Sequence, residues 1–244
     1  MLNLSASEQL DIWEAGLARS PAEWALLLLA RAYPDMEIES LAGLCIGRRD
    51  ALLISLREQL FGSNLACVTS CKSCGEELEL DLHSRDILVR DDVDLSGPFS
   101  LSTDGFEIEF RLPNSFDLLA LEGENDISSA RSILMERCVL SACKDGQMTG
   151  MQDLPTSVGN ALSERMSRID SQADIRLEMN CPSCGKSWQE IFDIVSFLWR
   201  EISSSVQHIF RDVATLAKFF GWKEKDILAM SEYRRQIYLE MVDQ

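Results

Sequence analysis

The sequence predicts an α+β fold, and three features carry that prediction. Cys71-Lys72-Ser73-Cys74-Gly75 and Cys181-Pro182-Ser183-Cys184-Gly185 repeat one Cys-x-x-Cys-Gly unit, each between short strand-like runs. Apolar residues alternate through Phe99, Leu101, Phe106, Ile108, Phe110 and Leu112 around Thr103-Asp104-Gly105, the pattern of a hairpin whose turn glycine supplies. Helical stripes with clear start signals occupy both ends of the chain. The expected layout is an N-terminal helical part (1–62), a β module split between 63–90 and 172–193, a mixed α/β insertion (91–171) and a C-terminal helical part (194–244).

In chain order, Ser5 and Glu8 have capping-box spacing, and Leu10, Trp13 and Leu17 then share a helical face. Residues before Ser5 are expected to be loose. Ser20-Pro21-Ala22-Glu23 is a stronger start: an N-cap, a proline at the first helical position and a glutamate at the third. The run 24–30 is apolar on nearly all sides, which predicts a central helix ending before Pro34. A short helix is expected over 35–44, then a break at Gly47. A third long helix follows over 48–60, with Leu52, Leu53, Leu56 and Leu60 on its face and a stop at Phe61-Gly62. Strands are expected at 65–68 and 77–82 around the first Cys pair, and at 174–179 and 187–192 around the second.

Between the pairs, Pro113-Asn114-Ser115 closes the hairpin and opens a helix near 116–121. Another is expected over 127–140 with Ile127, Ala130, Ile133, Leu134 and Cys138 inward, and a third over 155–169 with Leu162 and Met166 inward. Lys144-Asp145-Gly146 reads as a loop. After the second pair, Ile194, Phe197, Leu198 and Ile202 begin a helix, 206–220 follows and ends at Gly221, and two more helices occupy 223–230 and 231–242.

Two thiolates on a tight turn supply half of a tetrahedral zinc shell, so Cys71, Cys74, Cys181 and Cys184 together supply all of it. The glycine after each second cysteine permits the positive φ that turns backbone N–H groups towards sulfur. The reading is therefore one structural Zn²⁺ in a split four-cysteine zinc ribbon. A compact ribbon has roughly 15–20 residues between its Cys pairs, so a long insertion must interrupt this one. Redox dithiols and unrelated surface turns are the alternatives. A redox pair usually sits at a helix start within a βαβ unit, whereas these turns link strands. Cys45, Cys67, Cys138 and Cys143 read as small packed hydrophobes. His83 reads as a surface or edge group, because four cysteines already close the shell, and His208 as a helical residue with no special role.

The chain has 244 residues, 46 % hydrophobic and 26 % charged, enough for a substantial core. It contains no apolar run of membrane-spanning length and no basic N-terminal region of a secretory signal. Eight cysteines without such a signal suit a reducing, cytoplasmic setting. There is no phosphate loop and no nucleophile elbow. Asp91-Asp92 and the Glu122/Glu124 pair read as solvated loop charges, so no enzyme is expected. The net charge of −17 opposes phosphate binding. Residues 216–228 resemble helix–turn–helix, but interleaved acidic residues favour a plain αα-hairpin packing Leu216, Phe219, Trp222 and Ile227 together. Protein partners are expected, with no nucleic acid and no membrane. The alternative is a zinc-ribbon adaptor for nucleic acid or transcription machinery.

Four stretches resemble a known family: Trp13-Glu14-x-Gly16, the apolar helix Ala25 to Ala32, Gly47-Arg48-Arg49-Asp50-Ala51-Leu52-Leu53-x-x-Leu56-Arg57 with Leu60-Phe61-Gly62, and the ending Leu216-Ala217, Trp222, Asp226-Ile227-Leu228 and Arg234-Arg235-x-x-Tyr238. They resemble the T-even-phage baseplate hub assembly chaperones, particularly those found with phage-tail-like contractile injection systems. The resemblance implies binding to hub or baseplate components and implies no catalytic residues. It does not imply the zinc site, which rests on the cysteines.

Overall fold

The structure, a computed structural model, describes residues 4–89 and 94–242. The Asp91-Asp92 pair and the expected boundary at 90/91 lie outside the described residues.

Four helices open the fold: α1 (Ala6–Gly16), α2 (Pro21–Ala32), α3 (Ile38–Gly43) and α4 (Ile46–Phe61). Capping boxes start both α1 and α2, through Ser5/Glu8 and Ser20/Glu23. Leu4 is buried in the core rather than loose, because its side chain joins the apolar face that α1 presents inward. A hairpin of β1 (Asn64–Ser70) and β2 (Glu77–His83) follows, then the short helix α5 (Ser84–Ile87).

The insertion pairs β3 (Phe99–Thr103) with β4 (Phe106–Phe110) in the expected hairpin. Next come α6 (Ser115–Leu119), α7 (Ile127–Cys138), β5 (Val139–Lys144), β6 (Gln147–Met148) and α8 (Thr156–Ile169). The sheet has strand order β3-β4-β5-β6. The strand β5 corrects the expected helix to residue 140. Val139 to Lys144 hydrogen-bonds to β4, and this non-local ladder overrides a run that local pattern leaves ambiguous. Ile127 is exposed rather than inward, since Met135 and Cys138 at the other end of α7 define its buried face.

The second Cys pair lies between β7 (Arg176–Asn180) and β8 (Ser187–Ile191). The chain ends in α9 (Ile194–Phe220), α10 (Glu224–Leu228) and α11 (Glu232–Val242). The two expected helices 194–202 and 206–220 are one 27-residue helix. Ser203-Ser204-Ser205 does not interrupt it, because Ile202, Val206 and Ile209 continue one buried stripe.

Two apolar cores result. The larger packs α1, α2, α4 and α9 together through Trp24, Leu28, Leu53, Ile54, Leu198 and Val206, and takes in Leu65 of the first hairpin. The smaller lies between the four-stranded sheet and α7 and α8, around Phe106, Ile108, Phe110, Cys138 and Leu162. A buried junction joins them. The Gly47 amide at the start of α4 donates to a carboxylate oxygen of Asp170 at 2.9 Å, so Asp170 caps α4 from the end of α8. Burial pushes the Asp170 carboxyl pKa up, and the Gly47 N–H opposes that shift. A Cβ at Gly47 would stand 1.8 Å from Asp170 Oδ1, whereas one at Gly43 meets nothing within 4 Å. Gly47→Ala is therefore expected to cost about 2–4 kcal/mol by crowding and loss of the charged cap, and Gly43→Ala nothing comparable. Urea unfolding midpoints of the two variants check this.

Candidate metal centre

The two Cys-x-x-Cys turns are built alike. In the first, the Cys71 N–H donates to Glu76 O at 2.8 Å and the Gly75 N–H to Cys71 O at 2.9 Å. In the second, the Cys181 N–H donates to Lys186 O at 2.9 Å and the Gly185 N–H to Cys181 O at 2.8 Å. Gly75 and Gly185 take φ of 77° and 69°, the left-handed conformation that favours glycine. Each turn closes its own antiparallel ladder, β1 with β2 and β7 with β8. Among the described residues the strands form two separate two-stranded sheets rather than one ribbon. Each strand pairs within its own hairpin, and the two hairpins approach through side chains.

They meet at sulfur. One cross-pair, Cys71 and Cys184, stands at 3.7 Å, and the other, Cys74 and Cys181, at 3.6 Å. All four sulfurs lie within 4.8 Å of one another and can hold a metal ion. Cys71 and Cys181 are buried, and Cys74 and Cys184 face outward. The N–H groups of Cys74 and Ser73 hold the Cys71 thiol down at about 6. The Glu76 N–H also favours the Cys74 thiolate, but desolvation and the surrounding thiols push Cys74 up to about 12. Several thiolates crowded together repel one another, and a bound cation removes that penalty.

Lys72 occupies the place that proline holds in the second turn. Its ammonium reaches Glu190 of the opposite hairpin at 3.1 Å, and the Trp188 indole N–H donates to the same carboxylate at 2.9 Å. This partly exposed bridge contributes little stability by itself, and it links the two hairpins across their gap. No local pattern around Lys72 points to that partner.

The remaining cysteines stand apart. Burial pushes the Cys45 and Cys138 thiols up to about 11, so both stay neutral at pH 7. Cys67 and Cys143 are half-buried, and Cys143 Sγ approaches Met148 Sδ at 3.4 Å. His83 is outside the thiol cluster; its Nδ1 accepts the Arg85 N–H at the start of α5. His208 is exposed on α9.

At the C-terminal hairpin, Leu216 and Ile227 are buried as expected, and Trp222 stacks on Phe220 at 4.4 Å. Phe219 is mostly exposed instead, because it lies off the stripe that α9 turns inward. Arg235 is buried and paired with Asp212 at 2.9 Å, while Arg234 lies over the Tyr238 ring. These two cations are engaged within the fold.

The family model described as T4 bacteriophage base plate protein matches residues 22–199. The chain belongs to the T4 bacteriophage base plate protein family. The matched residues take in the Gly47–Leu56 motif and both Cys pairs, while Trp13, Gly16 and the closing helices after residue 199 lie outside them. No curated protein and no solved structure matches the chain. Among the described residues, no helix is long and apolar enough to cross a membrane. Family membership gives the chain a baseplate-related role and points to partners within the baseplate.

Proposed function

We propose that this family member is a non-catalytic, protein-binding assembly factor for the baseplate or hub of a contractile phage tail or tail-like injection system. It acts in the cytoplasm, as a chaperone or as a minor component that enters the particle. The family match over most of the chain carries this reading. The charge of −17 supports protein partners over nucleic acid, and the internal pairing of Arg235 weakens the C-terminal hairpin as a phosphate-binding surface.

Within this reading Cys71, Cys74, Cys181 and Cys184 hold one structural zinc. A tetrahedral shell with Zn–S near 2.3 Å separates its sulfurs by about 3.8 Å, close to the two cross-pair distances above. The ion joins hairpins that share no ladder, completing a ribbon through metal instead of backbone. The division into an N-terminal helical part, a split ribbon, an insertion and a C-terminal helical part belongs to the same proposal. The two cores support it, although Asp170 and Gly47 tie the insertion closely to α4.

Co-expression with the hub and baseplate proteins of its own cluster tests the role. The chain is expected to co-purify with at least one of them, and its deletion to reduce particle assembly. Association with none, together with normal assembly after deletion, sinks the proposal. Mass spectrometry of purified particles then separates a chaperone, absent from the product, from a component that stays.

A further inference from the structure

A groove of about 470 Å³ opens beside the metal centre, and its lining has a telling order. Four successive residues of β1 contribute, Ala66 to Thr69, as do Glu190 to Phe192 at the end of β8. A strand seen face-on offers alternate residues, as β7 does here with Leu177 and Met179. A strand offering successive residues is seen edge-on.

Ladder geometry shows what those edges carry. The Cys71 N–H bonds to Glu76 O at one end of the β1–β2 ladder, and the Ser84 N–H to Ser63 O at the other. With the register between them, these bonds direct the N–H and C=O of Ala66 and Val68 away from β2. The Cys181–Lys186 and Phe192–Ile175 bonds likewise direct those of Ile191 away from β7. Among the described residues, no backbone hydrogen bond outside the ladders involves Ala66, Val68 or Ile191.

The four hairpin edges are not alike. The outer edge of β2 presents Glu77, Glu79 and Asp81, and that of β7 presents Arg176 and Glu178. Charges of this kind guard a strand against unwanted pairing. The edges at the groove lack them: β1 offers Ala66 and Val68, and β8 offers Ile191. Val68 and Ile191 are 62 % and 66 % exposed. The groove also contains Leu80, Leu177, Phe192 and Phe197; its carboxylates are already engaged, Glu190 with Lys72, Glu201 with Arg57 and Asp193 as the cap of α9.

We propose that this groove receives an extended segment of a baseplate protein, which adds as a strand to the free edge of β1. The segment carries apolar residues at alternate positions, with basic residues between them that suit a chain of net charge −17. Such addition takes affinity from main-chain hydrogen bonds and specificity from alternate side chains. The identity of the protein supplying the segment rests on the assembly role above; the edge and its chemistry do not.

The test uses the full zinc-loaded chain and a fluorescent, acetylated and amidated octapeptide of alternating valine and lysine at physiological salt. Saturable binding is expected, weakened about tenfold or more in Val68→Lys and unchanged in Glu79→Lys on the guarded edge. Two N-methylated peptides supply a readout on the unaltered protein. Methylating the nitrogens that face β1 removes binding, and methylating the alternate set leaves it. Equal effects of the two sets, or no saturable binding, overturn strand addition. A concentration-dependent dimer that Val68→Lys abolishes assigns the edge to a second copy, which also overturns the proposal. If Val68→Lys loses the peptide but keeps its baseplate partner, docking lies elsewhere while the assembly role stands. If the unaltered chain binds the peptide but no baseplate protein, the assembly role alone fails.

Discussion

Cys181→Ser is expected to lower the melting temperature of the whole chain by about 10 °C, in one transition rather than by local loosening of the second turn. The size follows from what the proposed ion connects. Cys71 and Cys184 are 113 positions apart, and clipping such distant points removes entropy from the unfolded chain. A covalent link closing a loop near 100 residues is worth about 4–5 kcal/mol in that model, and the cost of closure rises only slowly with loop length. Serine opens the shell and leaves three thiolates with a weakly held ion. Cys181 Sγ is moreover buried, so little water replaces the lost interaction. A strong chelator should reproduce the effect, because the binding free energy of a structural metal is folding free energy. Cys143→Ser is the control, since that half-buried thiol stands apart from the cluster, against the Met148 sulfur; a shift of at most about 1–2 °C is expected. Calorimetry of the purified protein with metal analysis decides the matter. A protein isolated without zinc, or one whose melting is indifferent to chelation, would remove the metal from the account.

That centre was the most legible part of the molecule. Cys-x-x-Cys-Gly specifies its own turn: the glycine, the first cysteine and the strands on either side are contiguous, so local chemistry suffices. The approach of two turns through one another's sulfurs followed from valence, since two half-shells need each other. Arrangement beyond that was not local. Nothing in Leu65–Cys67 or Glu190–Phe192 states that the hairpins pair only within themselves and leave two uncharged edges on one groove. Lys72 stands where the second turn has proline, and its partner lies across the space between hairpins, at Glu190. The same limit explains β5. Val139 to Cys143 is apolar enough to continue α7, and hydrogen bonds from β4 decide otherwise. For α9 the expected division between 202 and 206 does not occur, because a stripe extending from Ile194 to Leu216 outweighs three serines of only modestly lower helix propensity. Gly47 was legible as a break, whereas the carboxylate that requires it comes from Asp170, more than a hundred positions later.

Glu201→Ala is expected to destabilise the protein by about 3–5 kcal/mol, more than the removal of its partner's charge. Glu201 on α9 binds Arg57 on α4 through two parallel hydrogen bonds, from Nε at 2.8 Å and from the guanidinium NH2 at 2.5 Å. The remaining guanidinium nitrogen donates to Gly62 O at 2.7 Å, where α4 gives way to the first hairpin. Phe197 lies beneath the guanidinium at 5.5 Å. The burial is unequal: the Arg57 side chain is 2 % exposed and that of Glu201 is 23 % exposed. Alanine at 201 leaves the deeply buried Arg57 cation without its counter-charge. Methionine at 57 keeps most of the packed volume and leaves Glu201 at the groove, where solvent can reach it, so Arg57→Met should cost about half as much. The double variant Arg57→Met with Glu201→Met is then expected to be more stable than Glu201→Ala alone. Urea unfolding of the singles and the double yields the coupling between the two residues. If the double variant is as unstable as Glu201→Ala, the loss lies in packing between α4 and α9 rather than in an orphaned charge. If instead it recovers stability but loses baseplate association, the ion pair serves to hold the floor of the groove in register with the β1 edge.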